Sequence, residues 1–133
     1  MARVSFHDVD FMPAIPVRLT HSKKKLRKFY RDFGEDPECL EESFGKSYAI
    51  TNTFTRGGEC LHVVYMTDCL DHAAEEDAGL LAHEAVHVVE EYFRNIGEYV
   101  QSDELRAYAV QGVTTYLVGE HFKWKQKRFD KRR

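Results

Sequence analysis

One segment limits the possible folds more than any other. Between Ala73 and Asn95 the apolar residues Leu81, Ala85, Val88, Val89 and Tyr92 recur at the spacing of one helical face. A helix takes most of its stability from burying such a stripe, so the chain must supply an apolar surface to cover it. Residues 68–77 read as an acidic connection whose last residues, Ala73 to Asp77, already favour helix. Their carboxylates suit a helix N-terminus. Asn95 and Gly97 mark the other end.

The covering surface is legible upstream. Ser47 to Thr55 and Cys60 to Thr67 are two β-rich runs around Gly57-Gly58, which predicts a hairpin. The second run is apolar nearly throughout, as expected of a strand covered on both faces. Phe11 to Leu19 reads as a first strand, and Pro13 and Pro16 assign it to an edge because each lacks a ladder donor. Thr20 or Ser22 caps a helix over 22–33, with Leu26, Phe29, Tyr30 and Phe33 on one face and Gly34 as its stop. Residues 34–46 read as a loop. Ser102 caps a last helix, expected to run to about Val118 before Gly119. The order strand, helix, hairpin, helix, helix predicts an α+β class. We expect one domain over 1–122, followed by a basic tail over 123–133. A length of 133 residues with 43% hydrophobic content suits a single core.

The stripe helix also carries His83-Glu84-Ala85-Val86-His87, an H-E-x-x-H motif. Residues four apart stack on one helix face, so two imidazoles can reach one metal ion. At about 100° per residue, His87 lies roughly 40° from His83 and Glu84 roughly 60° beyond His87. Glu84 therefore borders a metal position without having to bind it. There it would hold and deprotonate a zinc-bound water. The histidines lie on the side away from the apolar stripe, which directs them to a cleft or to solvent. An open zinc site needs a third protein ligand. Glu104, seventeen residues after His87, opens the next helix, and a tight antiparallel return brings it back towards the first. Tyr108 shares its face and is the first choice for steadying an oxyanion, with packing between two helices as its alternative role. His121 lies about 25 Å of helix beyond Glu104, which removes it from that role. Glu90 and Glu91 lie near the histidine face, to orient a ligand or simply to be solvated.

HEAVH followed by Glu104-Leu105-Arg106-Ala107-Tyr108 resembles the gluzincin branch of zinc metallopeptidases, and the short span resembles the minimal zincin-like proteins of phages and prophages. The likeness covers roughly residues 60–118. It implies a zincin-like fold, a small antiparallel or mixed sheet packed on the active-site helix and a second C-terminal helix. It further implies Zn²⁺ held by His83, His87 and Glu104, Glu84 as general base, and a peptide or protein substrate. The strand Cys60–Thr67 would be the edge strand along which an extended substrate lies. The longer gluzincin signature after Asp103 is missing. So is the metzincin continuation, since Glu90 and Phe93 stand where Gly and His would be needed.

Charge is unevenly spread. The net of −3 combines +6 over 123–133 with −15 over 32–122, and a second basic cluster spans Lys23 to Lys28. The C-terminal run, with Phe122, Trp124 and Phe129 interleaved, has the makings of a nucleic-acid contact, secondary to the peptide chemistry. Docking on the acidic body and a solvated tail are its other readings. A second class of function follows from the same residues: an inactive, zinc-stabilised interaction module whose tail binds nucleic acid or a protein. Cys60, Cys39 and Cys69 are an odd number without framework spacing, and Cys60/His62 and Cys69/His72 match no closed zinc pattern. The N-terminus lacks a signal-peptide core and no apolar run is long enough to span a bilayer. The expectation is a cytoplasmic protein, of bacterial or phage-infected cells, with no membrane partner.

Overall fold

A computed structural model describes residues 3–4, 15–39, 48–67, 71–98 and 102–132. In chain order the elements are β1 (Arg3–Val4), β2 (Ile15–Thr20), α1 (Lys23–Asp32), a short 3-10 turn (Pro37–Cys39), β3 (Ala49–Arg56), β4 (Glu59–Met66), α2 (Ala74–Asn95) and α3 (Asp103–Arg132). The sheet is mixed, in the order β1-β2-β4-β3. β2 runs parallel to β4, and the other two pairings are antiparallel. The class is α+β, as expected.

The hairpin is the one the sequence announces. Gly57 and Gly58 hold φ of 56° and 83°, and Arg56 pairs with Glu59 across them. Two left-handed residues in a two-residue turn match the twist of the flanking strands. β4 is buried from Leu61 to Met66 and lies inside the sheet, between β2 and β3. Leu61, Val63 and Tyr65 join Phe54 beneath Leu26 of α1, with Phe29, Tyr30 and Phe33 packed around them. Val64 and Met66 face the other way, into the larger core with Leu81, Ala85, Val88 and Val89 of α2 and Ala109, Val113 and Leu117 of α3. Helices thus cover both sheet faces.

Three expectations are corrected. The edge beside α2 is β3, not the strand Cys60–Thr67. A strand apolar on both faces needs neighbours and cover on every side, whereas β3 carries Thr51, Asn52 and Thr53. The first strand is not fully an edge either, because β1 pairs with its start at Ile15 and Pro16. Phe11 to Ala14 lie outside the described residues. Finally, the last helix does not stop at Val118 but continues through Gly119 to Arg132. A mid-helix glycine costs only about 1 kcal/mol, and the turns beyond it bury His121 and Lys125. Residues 123–132 are therefore helical. The predicted helix caps hold. Ser22 Oγ accepts from the Lys25 amide and Ser102 Oγ from the Leu105 amide, each at 3.1 Å.

Candidate active site

α2 presents its motif as the spacing requires. Leu81, Ala85, Val88, Val89 and Tyr92 are buried, and His83 and His87 are exposed on the opposite side. The two Nε2 atoms lie 3.2 Å apart, with the rings inclined at 73°. Two nitrogens at 2.0–2.1 Å from a tetrahedral zinc are separated by about 3.3 Å, so the pair has the bite of two ligands on one ion. Glu84 is placed differently. It is 6% exposed and turned towards β3, where the Thr51 hydroxyl donates a short hydrogen bond to its carboxylate. Thr51 Oγ also lies 3.4 Å from the Glu84 carbonyl oxygen. An open cavity of about 740 Å³ runs between the start of β3 and the first half of α2. Tyr48 and Ala49 form one wall, and His72, Leu80, His83 and Glu84 the other. The histidine and the carboxylate thus meet the same cleft, beside the edge strand.

Glu104 and Tyr108 are both exposed, in the first turns of α3. Arg106 pairs with Glu90 at 2.8 Å. That register sets Glu104 alongside the end of α2, about 7.5 Å of helix beyond His87. Among the described residues no group of three or more His, Cys, Asp and Glu side chains converges to hold a metal ion. The two histidines are therefore brought together, and Glu104 does not join them. Glu91 pairs with Arg94, so both carboxylates near the histidine face are engaged by arginines. His62 is fully buried, with Thr53 Oγ 3.0 Å from its Nδ1 and Cys60 Sγ 3.4 Å from its Nε2. Burial pushes its pKa down to about 4, against the opposing pull of Glu91. Cys69 lies outside the described residues.

Sequence reasoning missed a buried polar set. Asp77 and His121 are both fully buried, and His121 Nε2 is 2.8 Å from the Asp77 carboxylate. Lys125 Nζ donates to the same carboxylate at 2.8 Å and to the His72 carbonyl at 2.9 Å. His72 Nδ1 approaches the other Asp77 oxygen at 3.2 Å, and His21 Nε2 lies 2.9 Å from His121 Nδ1. Burial pushes the Asp77 carboxyl pKa up, but the bonds from Lys125 and His121 outweigh it and hold it below the ordinary value. A signal was available. Ala109, Val113, Leu117, His121 and Lys125 follow one another at intervals of four, and Asp77 precedes Leu81 by four. Opposite charges thus extend two apolar stripes.

No protein-family model, curated protein or solved structure matches the chain.

Proposed function

We propose that this chain is a zincin-like, zinc-dependent metallopeptidase, with His83 and His87 holding the metal and Glu84 serving as general base. The observation that carries this reading is the converging pair of His83 and His87, with His83 and the Glu84 carboxylate lining one cleft beside β3, the end strand of the described sheet. Glu104 is the carboxylate we assign to the third metal position, which it reaches only by swinging in from the first turn of α3, since it does not converge with the histidines here. Zinc bound there supplies Lewis acidity towards a peptide carbonyl and lowers the pKa of a water. Everything else falls to the chain's own residues. β3 ends the described sheet, so an extended peptide can add alongside it by backbone hydrogen bonds. Thr51, on that strand, fixes the Glu84 carboxylate through one oxygen. The other oxygen is left to take a proton from water and return it to the departing amine. Tyr108 is the oxyanion donor of this reading.

One observation favours a second reading. Glu84 is nearly buried and already hydrogen-bonded, as suits a metal-stabilised interaction module without turnover. Zinc analysis and hydrolysis of a peptide library, run on the wild type beside Glu84→Gln, separate the two. The peptidase reading expects stoichiometric zinc in both proteins and turnover lower by about 10²- to 10⁴-fold in the variant. Zinc without any turnover selects the module. A wild type without stoichiometric zinc rejects the metal site, and equal cleavage by both proteins removes Glu84 as the base.

A further inference from the structure

The two basic segments, far apart in sequence, meet in space. His21, at the junction of β2 and α1, stacks on Trp124 of α3 with centroids 3.7 Å apart and planes within 5°. His21 also contacts His121 one turn earlier. Together with the Lys125–Asp77 bond, these contacts hold the end of α3 alongside the start of α1. Between them opens a cleft of about 540 Å³. Its cationic side chains are Arg18 from β2, Lys25 and Lys28 from α1, and Arg128 from α3, all exposed. Asp32 and Glu120 are the carboxylates on its lining, which leaves a net of +2. Asp32 is held by Lys28 at 2.9 Å. This patch sits on a protein whose segment 32–122 carries −15, so its sign is local and opposed to that of the body.

The apolar part of the cleft matters equally. Leu19, Phe29 and Trp124 line it among the cations, and Arg128 lies 5.7 Å above the Trp124 ring. Phosphates seek the first set of groups, and unstacked bases the second. A duplex keeps its bases stacked inside and offers only its backbone. We propose that this cleft binds single-stranded nucleic acid without sequence preference, through its phosphates and exposed base faces. The site shares no residue with the cleft at His83 and Glu84, and the inference stands independently of the peptidase reading.

The test uses the full chain and a fluorescein-labelled single-stranded 20-mer of mixed sequence, followed by anisotropy. Four phosphate-neutralising side chains give a log–log salt slope near −2.8, or roughly fifty-fold weaker binding at 200 mM than at 50 mM salt. Lys25→Gln with Arg128→Gln should halve that slope to about −1.4 and weaken binding at least tenfold at 50 mM salt. Arg94→Gln with Arg106→Gln removes the same charge elsewhere and should leave binding within twofold, far-UV circular dichroism showing both variants folded. Absence of binding at 50 mM salt overturns the proposal. So does equal weakening by the two double variants, which would mean a response to net charge alone. A duplex that binds as tightly as the single strand, or inorganic polyphosphate that binds while the 20-mer does not, overturns it as well.

Discussion

His62 is one residue whose pH behaviour follows directly from its surroundings. It is fully buried on β4, against Thr53 and Cys60, and its pKa is lowered from 6.5 to about 4. The unfolded chain therefore takes up the proton first as pH falls. Its contribution to stability is complete above pH 6.5 and is lost progressively down to about pH 4, by as much as about 3 kcal/mol. Urea unfolding at pH 7, 5 and 4 should show this loss in the wild type and a flatter profile in His62→Gln; parallel profiles would reject it. The Asp77 carboxyl acts in a lower window. Its folded pKa lies below 3.8, so its contribution survives to that pH and disappears only as pH falls through the lowered value. At this scale the histidine pair was readable because spacing within one helix decides which side chains share a face. The Thr51–Glu84 bond was not, since it depends on which strand lies beside the helix.

Elements differ in how firmly their glycines hold them. Gly58 has φ of 83°, and a Cβ there meets nothing within 4 Å. Gly58→Ala should therefore cost about 1–2 kcal/mol through backbone strain alone. Gly119 lies inside α3, also with nothing within 4 Å of a Cβ, and its φ is not positive. Gly119→Ala should stabilise the protein by up to about 1 kcal/mol. Thermal melts of the two variants move in opposite directions if the helix is continuous through 119; loss of stability in Gly119→Ala would place a break there. The ends of α1 and α2 and the hairpin turn could be read from the chain, because Ser22, Gly34, Asn95, Gly97 and Gly57-Gly58 act within a few residues. The end of α3 could not. What carries the helix past Gly119 is contact with Asp77 and His21, distant in sequence.

Over the whole molecule, the segment expected as a tail is a structural brace. Lys125 is 7% exposed and shares the Asp77 carboxylate with His121, tying the end of α3 to the start of α2. Lys125→Met leaves that carboxylate buried with fewer partners and should cost about 3–5 kcal/mol, on the order of 10 °C in Tm. Asp77→Asn with Lys125→Met should recover part of the loss, and a strictly additive double mutant would deny that the two groups interact. No described helix is long and apolar enough to cross a membrane. The chain by itself determined the α+β class, the order of the main elements from β2 onward, the hairpin, the buried stripe of α2 and the exposure of its two histidines. Each follows from periodicity, turn chemistry or capping, which act over one to two turns of chain. Tertiary structure alone decided that β3 and not β4 is the edge strand, that Glu84 rests against Thr51, that Glu104 does not converge with the two histidines, and that both basic segments line one cleft. Those outcomes depend on how helices roll and strands order to bury apolar area, a choice made between segments and not within them.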